Sequence, residues 1–248
     1  MAKLDNPAGR LHELLAAFRE ESASQRSAVS VWSAVLHTES RSSTLLAIAE
    51  VAALVPEIEA AVIRSGDPGQ LRAFRRFAGE WLTAIFQPEQ NLYANGSGAT
   101  SVAADEDTLS VLELMSSTLT LTVSEGNVPS LTVISDLREQ VQELIESIVN
   151  DPQLTEDVKR LALDHVHRLA HALDHFRIGG PGAVRAATER LAGSLLMAAP
   201  EARKTTVWSR VWAFAYKAYA VFNQAPEVAD SIEAARRIYE ALPGGSGS

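Results

Sequence analysis

DPQLTEDVKRLALDHVHRLAHALDHFRIGGPGAVRAATERLAGSLLM, residues 151–197, reads as two helices joined by a glycine-rich corner. Asn150-Asp151-Pro152 supplies a capping residue and a proline near a helix start. After Thr155-Glu156-Asp157-Val158, residues 159–178 contain neither glycine nor proline. At about 100° per residue, Val158, Leu161, Ala162, Val166, Leu169, Leu173 and Phe176 gather on one side, as a helix with a buried stripe requires. Gly179-Gly180-Pro181-Gly182 is expected to stop this helix. Residues 183–197 then resume apolar positions at helical spacing.

The same period extends in both directions. Asn6-Pro7 opens a first helix that buries Leu11, Leu14, Leu15 and Phe18 and ends near Ser22. Val29, Trp32, Val35 and Leu36 mark a short second one. Leu45, Leu46, Ile48, Val51, Leu54, Ile58 and Val62 mark a third, in which Pro56 is expected to break or kink the helix. Ser65-Gly66-Asp67-Pro68-Gly69 is a turn, followed by an amphipathic helix with Leu71, Phe74, Phe77, Trp81, Leu82 and Ile85. Leu109, Leu112, Met115, Leu119 and Val123 recur at three and four residues. Thr118-Leu119-Thr120-Leu121-Thr122-Val123 alternates instead, as a strand would, but the longer helical period on both sides decides for helix. Leu137, Val141, Leu144, Ile145 and Ile148 form one more stripe, and two further helices cover residues 201–222 and 226–242. The class is therefore all-α, an irregular multi-helix bundle of about nine or ten helices. The organisation expected is an N-terminal helical subdomain (residues 1–86), a loop or linker (87–104), a C-terminal helical bundle (105–242), and a flexible tail or residual cloning linker (243–248).

Composition narrows the function classes. Hydrophobic residues make up 46% and charged residues 21%, which suits a packed core. Cysteine is absent, which removes disulfides, thiolate metal sites and a thiol nucleophile and fits a reducing cytoplasm. A formal net charge of -9 opposes general attraction to nucleic acid or anionic lipid. No apolar run of roughly eighteen residues is present to span a membrane. P-loop, dinucleotide-binding glycine, G-x-S-x-G and H-E-x-x-H patterns are all missing.

Four of the six histidines fall in residues 159–178. His165 lies within the apolar arc; His167, His171 and His175 repeat every four residues on roughly the opposite side. His171 and His175 stand one turn apart, the spacing that helical zinc sites use. His171-Ala172-Leu173-Asp174-His175 resembles the inverted zinc-peptidase pattern H-x-x-E-H, with aspartate in the place of glutamate. Arg160-Leu161-Ala162-Leu163-Asp164-His165 resembles the R-x4-H pattern of HEPN ribonucleases, which are all-helical and often act in bacterial defence or toxin systems. That resemblance implies His165 as acid/base for 2′-OH attack, Arg160 as the stabiliser of phosphorane charge, and RNA as substrate. It also implies a site commonly built across a dimer. A structural role for the histidines, His165 hydrogen-bonded at the core edge and the rest on a solvated or partner-facing surface, is the reading the residues favour.

Elsewhere, Asp136, Glu139, Glu143 and Glu146 form an acidic stripe that reads as a solvated face. Arg72, Arg75 and Arg76 lie among Phe74, Phe77 and Trp81, a mixture read as surface arginines over core aromatics. Residues 207–222 are the most aromatic, with Trp208, Trp212, Tyr216 and Tyr219 distributed over more than one face, as in a central or interface helix. The expectation is a bacterial, cytoplasmic, non-enzymatic module that binds a protein partner or itself through those four aromatics and carries no cofactor. A HEPN-like, metal-independent ribonuclease is the alternative.

Overall fold

The computed structural model describes residues 4–22, 27–86, 105–123, 128–197 and 205–222. Among them are nine helices and no strand, so the protein is all-α. In chain order these are α1 (Pro7–Glu21), α2 (Ala28–Leu36), α3 (Arg41–Ser65), α4 (Pro68–Ile85), α5 (Glu106–Val123), α6 (Leu131–Asn150), α7 (Glu156–Asp174), α8 (Phe176–Met197) and α9 (Thr206–Phe222). They form two compact units, Met1–Glu125 and Gly126–Ser248. The division differs from the one the composition suggested, because α5 packs on α1, α3 and α4 and so belongs with the N-terminal helices. The expected loop at 87–104, helix at 226–242 and tail at 243–248 lie outside the described residues.

In the first unit α3 meets all four other helices, and α1 packs against α2, α3 and α5. Leu11, Leu14, Leu15 and Phe18 are all buried along it. The Phe18 ring meets Trp32 of α2 at 4.6 Å, and the indole N–H of Trp32 donates to the Ile85 carbonyl at the end of α4 (3.1 Å). Arg10, buried on α1, pairs with Glu57 of α3 at 3.0 Å. Pro56 neither breaks nor ends α3, which runs unbroken from Arg41 to Ser65. Proline removes one backbone donor there, but it sits on the exposed side, where water can reach the carbonyl it leaves free. Val51, Leu54, Val55 and Ile58 on the other side stay buried across it.

The start of α1 is tied to α5 by a polar latch. Asn6 caps α1 by accepting from the Gly9 N–H at 3.0 Å. Its buried amide nitrogen faces the Ser116 carbonyl (3.1 Å), Ser116 Oγ (3.3 Å), Thr120 Oγ1 (2.9 Å) and Asp5 Oδ1 (3.1 Å). Thr120 also donates to Asp5 at 3.0 Å. The threonines that make this stretch alternate like a strand are thus accommodated in a helix. Thr120 joins the latch, while the hydroxyls of Thr118 and Thr122 donate to carbonyls four residues back. Asp105 caps α5 through the Thr108 N–H (2.7 Å), and hydrogen bonds from Thr108 hold its carboxyl below the usual range.

In the second unit α7 packs between α6 and α8, and α9 closes the group against α6 and α8. Leu137, Val141, Val166, Leu169, Leu173, Val184, Leu191 and Val211 are buried within it, and Phe176 meets Phe222 at 5.6 Å. The glycine corner breaks the helical path as expected, at Gly180. α7 itself ends earlier than expected, at Asp174, and α8 takes in the short turn before the break as well as the helix after it. The N–H groups of Ile178 and Gly179 donate back to the His175 carbonyl (2.9 Å each), which builds one turn before Gly180 bends the chain at φ 64° and ψ -168°. That conformation is essentially restricted to glycine. A Cβ on Gly179 would come within 2.7 Å of the Ala183 methyl group, so the close approach across the bend needs glycine there as well. Pro181 then restarts the helix where no N–H partner is required.

Candidate functional site

α7 carries the residues singled out for chemistry, and its two ends are set by charge. Glu156 and Asp157 lie in the first turn, where the helix dipole favours anions. At the other end, Arg138 of α6 donates from Nε (3.0 Å) and Nη2 (2.6 Å) to the Leu173 carbonyl, and from Nη2 (2.8 Å) to the Asp174 carbonyl. It also pairs with the Asp174 carboxylate at 3.3 Å. A guanidinium at the exposed carbonyls of a last turn satisfies them and opposes the dipole. Replacing Arg138 with Met is expected to lower the stability of the second unit by about 1–2 kcal/mol, the scale of charge-assisted hydrogen bonds at a half-exposed site. Urea unfolding checks this; an unchanged midpoint would mean that water serves those carbonyls as well.

Arg160 is exposed and bound to Asp157 one turn back. Its neighbour Lys159 pairs with Glu156 at 3.4 Å and donates to the Val149 carbonyl. Arg160 lines a shallow groove with Val149, Glu156, Lys159, Leu163 and Asp164. His165 is not part of that groove. It is half-buried on α7, and its Nδ1 is buried with no hydrogen-bond partner among the described residues. Five residues apart on one helix, the two side chains point about 140° away from each other within a chain.

The other histidines are arranged differently. His171 and His175 stack face to face, with ring centroids 4.2 Å apart and planes 8° from parallel. His167, one turn earlier, shares a groove of about 640 Å³ with Asp164, Arg168, His171 and Arg190, floored by alanines of α7 and α8. Arg168 is bound to Asp164 at 3.1 Å. Asp174, the acid between the two histidines in sequence, pairs with Arg138. Leu161, expected in the apolar arc, is instead 39% exposed at its margin.

The four aromatics of α9 divide. Trp208 and Tyr219 are buried, Trp212 is half-buried, and Tyr216 is 38% exposed. Two polar clasps fix this helix to α6: Arg210 to Ser147 at 3.0 Å and Lys217 to Gln140 at 2.9 Å. The acidic stripe of α6 faces solvent. On α4, Phe74 and Trp81 are buried, and the Arg76 guanidinium lies 5.2 Å over the ring of Phe77.

Sequence reasoning passed over the outer face of α5. Leu114 is 67% exposed and Leu121 85% exposed, although Leu112, Met115 and Leu119 fill the inner face of the same helix. The available signal was that these two leucines fall outside the core stripe and seven residues apart. No family model, curated protein sequence or solved structure matches the chain, and the reading of its function rests on this geometry.

Proposed function

We propose that the chain is a non-enzymatic helical interaction or assembly module that docks an apolar helix, from a partner protein or a second copy, on the outer face of α5. One observation carries the reading: α5 is apolar on two sides, and the side turned away from the core displays Leu114 and Leu121 in line, with Ser110 and Ser117 exposed beside them. A helix apolar on more than one face belongs in a core or an interface. Small hydroxyl residues between the leucines allow another backbone to approach. The half-exposed Trp212 and the exposed Tyr216 on α9 are a further surface of the same character. The cysteine-free composition suits a reducing compartment, and we place the module in the bacterial cytoplasm as part of this proposal.

The test compares the full chain with the Leu114→Lys/Leu121→Lys variant. Substitutions at such exposed positions change stability by about 0.5 kcal/mol or less each, so the variant is expected to unfold at the same midpoint. Sedimentation and co-purification from the native host are expected to show a stoichiometric assembly with the wild-type chain and none with the variant. An assembly unaffected by both lysines overturns the proposal. Cleavage of single-stranded RNA by the purified chain, lost on His165→Ala, would favour the HEPN-like ribonuclease instead.

A further inference from the structure

We propose that His171 and His175 form a two-imidazole site for a late first-row transition-metal dication such as Zn²⁺ or Cu²⁺. Three histidines repeat along this side of α7, and a single ion cannot be reached by all three, because the outer pair stands two turns apart, about 12 Å along the axis. The structure selects among them: His171 and His175 are already face to face at 4.2 Å. A ring nitrogen of one lies within 4.8 Å of a ring nitrogen of the other. Tetrahedral zinc with nitrogen ligands near 2.05 Å needs donors about 3.3 Å apart. His171 is exposed and His175 half-buried, so small side-chain rotations bring the rings to that spacing without disturbing the core.

The backbone prepares the site. His175 is the C-terminal cap of α7, and its N–H donates to the His171 carbonyl at 2.9 Å, which fixes one ligand relative to the other. The Arg138 guanidinium secures the carbonyls immediately before it. Both imidazoles stand at the negative end of the helix dipole, where a cation is favoured. Arg138 adds a positive charge nearby, but Asp174 balances it. Imidazole donors select zinc and copper over magnesium and calcium, which prefer oxygen. The remaining coordination positions go to water or to donors outside α7. Because Asp174 is committed to Arg138, it is not a general base for metal-bound water, and binding rather than hydrolysis is the activity assigned.

Calorimetric titration of the untagged full chain with ZnCl2, and separately with CuCl2, tests the site. The expected result is saturable binding of one ion per chain, weakened by more than about tenfold in His171→Ala and in His175→Ala; loss of a mere outer-shell partner already costs roughly 10–100-fold. His167→Ala is expected to bind as wild type. Zn²⁺ should also raise the thermal midpoint of the wild-type chain and leave that of the His171→Ala/His175→Ala double variant unmoved. Absence of saturable binding, binding that survives the double variant, or equal loss in His167→Ala would each overturn the assignment. None of these readouts involves α5, so they are independent of the docking proposal.

Discussion

Trp208→Ala is expected to lower the stability of the second unit by about 3–5 kcal/mol, the range for removing a large buried aromatic. The side chain is 1% exposed, on a helix whose Val211, Ala218 and Phe222 are buried as well. Its removal leaves a cavity that the neighbouring side chains, held in a packed core, fill only in part. A domain is stable by only about 5–15 kcal/mol, so much of the unit's margin is lost. The indole N–H has no hydrogen-bond partner among the described residues. Trp208→Phe is therefore expected to cost less, about 1–2 kcal/mol, from volume alone. Tyr216→Ala, at the exposed surface of the same helix, is expected to stay within about 0.5 kcal/mol. Urea unfolding followed by a probe in the second unit measures all three. If Trp208→Ala unfolded at the wild-type midpoint while losing a partner, Trp208 would return to the interface and its burial would not be the source of stability.

The contrast between Trp208 and Tyr216 shows what the sequence could and could not disclose. Helical period located the helices and most of the core, because apolar residues at three and four positions leave few alternatives for α1, α6 and α7. It did not identify which aromatics on a helix with aromatics on more than one face would point inward, since that depends on where α6 and α8 lie. Pro56 was misleading for a related reason. Local propensity favours a break, but tertiary burial of Val51, Leu54, Val55 and Ile58 on the opposite side maintains the helix. The glycine corner was found, yet the end of α7 was placed too late, because the donor to its last carbonyls is Arg138, on another helix. Of the candidate sites, the sequence supplied the His171/His175 spacing. It could not supply the stacking of the rings, or the engagement of Asp174 elsewhere. The exposed leucines of α5 were readable only as residues left over from the core stripe.

Asn6→Ala is expected to cost the first unit about 2–4 kcal/mol, although the side chain is small. Loss of an N-cap contributes about 1 kcal/mol. The larger share comes from Asp5 and Ser116, which are buried and would lose the amide they face. The Asp5 carboxylate keeps the Thr120 hydroxyl, so the cost is that of one lost hydrogen bond to a charged group, about 1.5–3 kcal/mol. Asn6→Asp separates the two contributions. It keeps an oxygen for the Gly9 N–H, but it removes the amide donor and sets a second carboxyl beside Asp5. If the cap dominated, Asn6→Asp would behave like wild type; the latch requires that it be at least as destabilising as Asn6→Ala. Urea unfolding of the two variants decides between these outcomes. The consequence reaches the surface of α5 as well. Ser116 and Thr120 hold that helix from the α1 side, while Leu114 and Leu121 point outward from it. Weakening the latch is therefore expected to reduce the proposed docking on α5 through a residue within the core of the unit, whereas Leu114→Lys/Leu121→Lys is expected to remove it without loss of stability.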